Sequence, residues 1–384
     1  MRALFDYLFA TSIMVIMFIS ATASYISMIT VPEKEVSQEQ LLSTAEKVMD
    51  QLLLTEGTPA DWGVRTSVPS SIGLAGRNGS EYQLDLDKVR RLTDNTIGTM
   101  LSTQNIYQLL GLNKNYAFRL MITPALNITV VPTQFILVGS KNFSCAFNVT
   151  VRTHENIPVP NANLTASLLL AYVQTGMSPN FDVAYYMSDA KYNVTDWKGR
   201  RSFDYTSFMQ GLSTKDLTGC VFFVTANFYG LQSLGSYVCT TGGDTTFAQM
   251  VGNDVLIGIT VDSMPKGAKH LRKQASEITV DEGAAQAGPS DFVLSQYNDK
   301  GVVNYGSKDF RVFQMSYVEP GTIYTVMVVK SEGKNILVIC STIPTLQPVG
   351  SKLPTGTVMV YVRRLVYMGG MSYYIELHLW KMSD

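Results

Sequence analysis

Phe143-Ser-Cys-Ala-Phe-Asn-Val-Thr-Val151 is the stretch of the 384-residue chain that decides the fold class. Its odd-numbered positions hold Phe, Cys, Phe, Val and Val, whereas its even-numbered positions hold Ser, Ala, Asn and Thr. Side chains of a β-strand alternate between the two faces of a sheet, so this pattern predicts a strand with one buried face. Asn142 and Asn148 fall on the outward face, and we predict that the Asn148 side chain points to solvent.

Similar segments recur along the chain after this strand, with polar turns between them. Further strands are predicted at Asn161–Leu170, Tyr192–Thr195 and Cys220–Phe228. Many short strands joined by polar turns are typical of two packed sheets. We therefore predict a β-sandwich over residues 125–243.

A second β-rich region follows, which we assign to a distal domain at residues 244–384. Its clearest element is a closing hairpin, in which Val358–Tyr367 and Ser372–Trp380 flank two glycines that favour a tight turn with positive φ. The charged segment Lys266–Glu277 predicts a surface helix. The other strands of this domain are predicted at Asp254–Val261, Arg311–Val318, Thr322–Lys330 and Ile336–Ile343.

The N-terminal segment from Tyr7 to Val31 carries no charged residue, and its core is long enough to cross a bilayer. Arg2 precedes the segment, and a mixed, acidic-leaning group of charges follows it. We predict a transmembrane anchor at residues 1–32 that contacts membrane lipid through residues 8–30, with the N-terminus cytoplasmic and the bulk extracellular. The alternative is a cleaved signal peptide, because Ala21-Thr22-Ala23 fits a cleavage site.

A helix with one apolar stripe follows the anchor and belongs to a membrane-proximal α+β module at residues 33–124. Its stripe consists of Leu41, Ala45, Val48 and Leu52. Ser37 is the predicted N-cap, and Pro32 predicts a kink between this helix and the anchor. Asp85 and Asp87 are interpreted as the cap and first-turn acid of a later short helix rather than as calcium ligands.

Motifs of catalysis or cofactor binding are missing from the sequence. The three histidines, His154, His270 and His378, do not lie at metal-ligand spacing, so no metal, no cofactor and no catalytic residue is predicted. Ser188-Asp-Ala-Lys191 and Ser263-Met-Pro-Lys266 match the S-x-x-K pattern of some hydrolases, but without its companion motifs we interpret both as surface segments.

Composition narrows the class of protein further. Hydrophobic residues make up 46% of the chain and charged residues only 16%, while 20 Tyr and 17 Phe favour half-buried strands. The net charge is −1 and no basic block occurs, so nucleic acid is not an expected partner. The prediction is a mainly β protein with an N-terminal transmembrane helix.

The four cysteines of an exported chain predict disulfides. Cys145 and Cys220 are predicted to pair, because strand alternation points both into the core of the sandwich, and Cys239 with Cys340 would form a second bridge. The alternative is that all four are buried thiols. Six Asn-x-Ser/Thr sequons are candidate glycosylation sites, at Asn78, Asn127, Asn142, Asn148, Asn163 and Asn193.

Several short motifs accompany the uncharged N-terminal span. They are Ala45-Glu-Lys-Val48, Leu52-Leu-Leu-Thr-Glu-Gly-Thr-Pro-Ala-Asp-Trp62, Ile72-Gly-Leu-Ala75, Leu86-Asp-Lys-Val89 and Leu109-Leu-Gly-Leu112. Residues 5–125 thereby resemble archaeal type IV pilin-like surface proteins, which implies a membrane-embedded helix that continues into a β-rich head. The segment Val149–Leu170, with Ile157-Pro-Val-Pro-Asn-Ala-Asn-Leu-Thr165, looks like a strand-turn-strand of extracellular Ig-like modules.

We therefore expect a single-pass cell-surface protein with a structural or adhesive role, and not an enzyme. Its partners would be membrane lipid, further copies in a homo-oligomer or filament, and surface glycans or envelope proteins. One alternative is a binding module for carbohydrate or an envelope protein, which exposed aromatic side chains on a concave face would favour. The other is an extracellular hydrolase, which carboxylates converging in a cleft would favour.

Overall fold

The computed structural model describes most of the chain. In some of the segments given next, it describes the backbone but not every side chain. The described residues are 2–77, 81–95, 97–112, 116–138, 141–174, 182–211, 217–240, 245–257, 272–273, 292–293, 298–305, 308–314, 324–331, 334–341 and 343–382. The helices are α1 (Arg2–Leu54), α2 (Leu86–Thr93), α3 (Thr103–Leu109) and α4 (Thr206–Gln210).

Strands dominate the structure. The first ten are β1 (Tyr116–Pro124), β2 (Leu126–Val138), β3 (Lys141–Thr153), β4 (Asn163–Gln174), β5 (Asp182–Met187), β6 (Lys191–Val194), β7 (Arg200–Asp204), β8 (Leu217–Phe228), β9 (Leu231–Thr240) and β10 (Thr245–Val251). The others are β11 (Asp254–Ile257), β12 (Arg272–Lys273), β13 (Phe292–Val293), β14 (Asn298–Tyr305), β15 (Lys308–Gln314), β16 (Tyr324–Ser331), β17 (Lys334–Ser341), β18 (Val349–Gly350), β19 (Met359–Met368) and β20 (Met371–Lys381). With 47% strand and 22% helix in several antiparallel sheets, the prediction of a mainly β protein is confirmed.

A single helix, α1, occupies the N-terminal part of the structure. It runs through Pro32 and Ser37, so the prediction that a separate helix begins at Ser37 is wrong. Proline removes one backbone hydrogen bond from a helix interior, but helix-forming Glu, Lys and Gln residues on its C-terminal side favour continuation of the helix. Within the described residues, none of the helices is both long and apolar enough to span a membrane.

A four-stranded antiparallel sheet, in the order β18-β1-β20-β19, packs against the C-terminal half of α1. Its hairpin β19–β20 is confirmed, with Gly369 and Gly370 both at positive φ. β1 pairs along its whole length with β20, from Tyr116 opposite Lys381 to Pro124 opposite Tyr373. The predicted division into residues 33–124 and 244–384 stays a prediction, but the pairing of this sheet joins strands from both ranges.

The region between residues 126 and 240 contains two sheets that enclose one hydrophobic core. One sheet has the order β2-β3-β7, and the other has the order β5-β4-β8-β9 with β6 alongside β4. The shared core receives Phe147 from the first sheet and Phe222 from the second, whose rings stack at 4.3 Å between centroids. The alternating strands predicted around residues 143–151, 161–170 and 220–228 therefore supply this core.

Six of the remaining eight strands form a sheet in the order β14-β15-β11-β10-β17-β16, and β12 and β13 pair separately. All of its neighbours are antiparallel except β10 and β17, which run parallel. The predicted helix Lys266–Glu277 is wrong at Arg272–Lys273, which form strand β12 opposite Phe292–Val293. That pairing is a long-range interaction that local charge does not reveal, and the rest of the predicted helix lies outside the described residues.

Candidate functional site

The N-terminal part of α1 presents an apolar surface without cover. We call residues 11–25 the arm and residues 38–382 the head; every side chain of the arm is exposed. Seven consecutive apolar residues, Ile13 to Ile19, are between 46% and 74% exposed. At 3.6 residues per turn they surround the helix on all sides. A helix that is apolar all round is normally enclosed by lipid or by other protein chains.

The C-terminal half of α1 is built into the head. Its buried face consists of Leu41, Ala45, Val48, Met49, Leu52 and Leu53. These side chains share a core with β1, β19 and β20, and α1 contacts both strands of the closing hairpin. At the C-terminal end of α1, the Leu52 carbonyl accepts a hydrogen bond from Leu74 N–H at 2.7 Å. The Gln51 side chain links the helix to α3, because its Nε2 donates to Leu109 O at 3.2 Å. The arm is therefore the continuation of a helix fixed in the head.

Trp62 and Arg91 hold the loop that follows α1. Trp62 is fully buried, and its Nε1 donates to Glu56 O at 3.1 Å and to Gly73 O at 3.0 Å. The buried guanidinium of Arg91 lies 5.7 Å from the Trp62 ring centroid and donates to Trp62 O at 2.6 Å. A side chain at Gly73 would meet backbone and side-chain atoms of Thr55 at under 3 Å, so this position requires glycine. The loop is thus packed tightly against the end of α1.

The acids of α2 are used in capping and in contacts with the six-stranded sheet. Asp85 caps α2 by accepting from the backbone N–H groups of Asp87 and Lys88, as predicted. Asp87 contacts Arg90 at 2.5 Å and accepts from Gly252 N–H, in the turn between β10 and β11, at 3.1 Å. Burial raises the pKa of the Asp85 carboxyl, and the neighbouring charge of Asp87 adds to that effect.

Lys88 is a buried cation on the same helix. Its Nζ donates to Ala75 O at 2.7 Å, and burial lowers the pKa of its ammonium group. At the end of α2, Asp94 accepts from Gln249 Nε2 at 2.9 Å and from Thr345 N–H at 3.0 Å. Charged groups therefore serve to join α2 with the loop after α1 and with the later β-strands.

A polar network connects the turn after β3 with the closing hairpin. Arg363 on β19 pairs with Glu376 on β20 at 2.5 Å and lies 3.6 Å from Glu155 of the turn. The Arg363 guanidinium also lies 5.4 Å from the ring centroid of Tyr374, on which His154 packs at 4.6 Å. This network attaches the two-sheet region to the four-stranded sheet.

The described histidines, His154 and His378, lie in different surroundings. His154 belongs to the network above, and His378 lies 3.7 Å from Glu376 and stacks on Tyr361. His270 lies outside the described residues. Among the residues that the structure describes, no three His, Cys, Asp or Glu side chains are grouped so that they could hold a metal ion.

The prediction that Ser188 lies on the surface is wrong. It is buried, and its Oγ accepts from Leu168 N–H at 2.9 Å. Lys191 is exposed, with its Nζ 4.5 Å from the ring centroid of the buried Tyr205. The serine completes the backbone hydrogen bonding of β4, a long-range role that the S-x-x-K spacing does not indicate. Ser263 and Lys266 lie outside the described residues.

Cys145, Cys220 and Cys239 are buried free thiols in the core of the two-sheet region. The predicted Cys145–Cys220 disulfide is therefore not formed in this structure, although both side chains do enter the same core. Cys239 stands directly opposite Cys220 on the neighbouring strand, so strand alternation alone could not select one partner. Burial raises the pKa of the Cys220 thiol, and the nearby Cys239 raises it further. Cys340 lies on β17 in the six-stranded sheet, and its side chain is outside the described part.

The described sequon asparagines lie at the surface. Asn127, Asn142, Asn148 and Asn163 are exposed, and Asn193 is half-buried. The predicted outward direction of Asn148 is confirmed. Asn78 lies outside the described residues. None of the five is packed in the core, so their position allows modification.

The chain matches none of the protein-family models with which it was compared, and no curated protein is significantly similar to it. The residues above therefore carry the functional argument by themselves.

Proposed function

We propose that this chain is a pilin-like, membrane-anchored surface protein with a structural or adhesive role. Its head would be displayed outside the cell, and its arm would be buried in lipid or between copies of the chain. The observation that carries the proposal is the division of α1, which has one half packed in the head and an apolar, exposed arm at the other end. Because the arm and the packed half belong to one helix, the position of the arm would fix the position of the head.

In this proposal the head consists of a membrane-proximal α+β module, an Ig-like β-sandwich at residues 125–243 and a distal β region. The strands that enclose the core around Phe147 and Phe222 support the sandwich assignment. The network of Arg363, Glu376 and Glu155 and the contacts of Asp87 and Asp94 support a head that moves as a connected unit. A connected head suits a protein that must bear load or present a surface.

The test is a charge placed in the arm. Ile16→Asp should release the chain from the membrane fraction of native cells, because a carboxylate in the bilayer centre or in an apolar helix contact costs about 2.5 kcal/mol or more. Leu42→Asp is the matched control, since Leu42 is an exposed apolar residue of the same helix within the head and should leave the chain in that fraction.

Membrane retention of the Ile16→Asp variant would contradict the proposal, as would wild-type protein in the soluble fraction. Protease added to intact cells gives an independent readout. It should digest the head and leave an N-terminal fragment that contains the arm, whereas a mature N-terminus at Ser24 would show that the segment is a cleaved signal peptide.

A binding module for carbohydrate is the second candidate, favoured by three exposed aromatic side chains of the two-sheet region. Trp197 and Tyr229 are the most exposed, and Tyr192 lies on the short strand β6. Asn163 pairs with both Val194 and Asn227, which places Trp197 and Tyr229 just beyond the same end of the sheet. Retention of the chain on immobilised polysaccharides would distinguish this candidate from a purely structural role.

A further inference from the structure

An exposed apolar row runs along β2. Val131, Phe135 and Leu137 are 51%, 61% and 62% exposed, and all three lie on the same strand, on either side of an irregularity in its pairing with β3. β2 is the outer strand of the three-stranded sheet, and apolar side chains on such a strand promote self-association. A protein displayed outside the cell therefore requires something that covers this row.

The strand register places two sequon asparagines directly beside the row. Val131 is opposite Asn148, and Leu137 is opposite Asn142. Phe135, between them, is opposite Ser144. Opposite residues of an antiparallel pair have their Cβ atoms about 4.5–5.5 Å apart, so a group attached to either asparagine begins within reach of the apolar side chains.

The Asn148 amide is also turned in a suitable direction. Ser202 Oγ donates to Asn148 Oδ1 at 2.6 Å, and Ser202 stands opposite Asn148 on β7. β7 and β2 flank β3 on opposite sides. The contact with β7 is thus made by the oxygen of the amide, and Nδ2, the atom that would carry the sugar, is on its other branch.

We propose that Asn142 and Asn148 carry N-linked glycans whose first sugar rings lie over Val131, Phe135 and Leu137. The inference rests on the proposed function, since it requires the head to face the extracytoplasmic glycosylation machinery. The sugar donor is a lipid-phosphate-linked oligosaccharide. The asparagine Nδ2 forms a bond with C1 of the sugar and loses a proton, while the C1–O bond breaks and the lipid phosphate leaves with the electron pair.

Such glycans would cover the apolar row and separate it from solvent and from other proteins. The C–H faces of a sugar ring pack on aliphatic and aromatic side chains, while its hydroxyl groups remain in water and add solubility. Asn127 offers a matched comparison, because it is an exposed sequon residue on β2 itself but stands opposite Arg152. A glycan there would begin beside a charged side chain rather than beside the apolar row.

The experiment uses the full-length chain purified from native membranes. Mass spectrometry of the peptide that contains residues 142–150 should find glycan on both asparagines. Asn142→Gln combined with Asn148→Gln should then raise the fluorescence of an apolar dye several-fold and produce concentration-dependent oligomers, whereas Asn127→Gln should not. In the double variant, Phe135→Thr with Leu137→Thr should reverse both effects.

Unmodified asparagines would overturn the inference, and so would a glycan-free double variant that binds dye and sediments like the wild type. Equal effects of Asn127→Gln would also overturn it, because they would show general solubilisation rather than cover of the row. Protease shaving of the same cells separates the two proposals. An unmodified but shaved head refutes only the glycan shield, whereas an unmodified and protected head refutes both.

Discussion

Replacing Leu52 with Ala removes one of the side chains that fix α1 in the head. Leu52 is 1% exposed and lies in the core shared with β1, β19 and β20. The substitution deletes three carbon atoms, and burial of each contributes about 0.8 kcal/mol, which gives about 2.4 kcal/mol for the lost transfer from water. The cavity left in a packed core adds to this loss, so the free energy of unfolding should fall by about 3 kcal/mol.

The assay is urea unfolding of the full-length chain in mild detergent, followed by tryptophan fluorescence, to which the buried Trp62 contributes. Leu54→Ala is the matched control, because Leu54 ends the same helix but is 52% exposed. It should change the free energy of unfolding by no more than about 0.5 kcal/mol. A loss below about 1 kcal/mol for Leu52→Ala, or equal losses for the two variants, would refute the docking of α1 in the head.

Two further predictions concern buried titratable groups. Because burial raises the pKa of Cys220, this thiol should react with iodoacetamide at pH 8 far more slowly in the folded chain than in urea, and equal rates would contradict its burial. Burial lowers the pKa of Lys88 below 10.5, so at this residue the unfolded chain binds more protons, and the contribution of Lys88 to the free energy of unfolding should rise as pH increases towards 10.5. Lys88→Met should remove that rise in urea midpoint, and an unchanged pH dependence would show that Lys88 titrates normally.

Features that depend on local sequence were predicted well. The strand at residues 143–151, the β19–β20 turn at Gly369 and Gly370, and the Asp85 cap each follow from a few neighbouring residues. The physical causes act between residues that are close in sequence. They are side-chain alternation in the strand, positive φ in the turn, and a carboxylate beside free N–H groups at the helix cap.

Features that depend on distant residues could not be predicted in this way. Nothing near Tyr116 indicates that its strand pairs with β20, and nothing near Arg363 indicates that Glu155 approaches it. The cysteines illustrate the limit most clearly. Alternation correctly placed Cys145 and Cys220 in one core, but whether they are bonded depends on geometry and on Cys239, which alternation does not specify. Likewise, continuation of α1 through Pro32 is decided by the whole helix rather than by one residue.

The pairing of β1 with β20 has a consequence for how the protein is made. β1 leaves the ribosome well before its hydrogen-bond partner β20, because the two strands are far apart in the sequence. Until then the buried face of α1 and the inner face of β1 have no closing hairpin to cover them. The core around α1 and β1 therefore cannot be completed before β19 and β20 are available. Pairing of strands that are so distant in sequence is slow. A nascent chain would need a chaperone for that interval, and a chain that terminates before β19 would be cleared by proteases as an incomplete product.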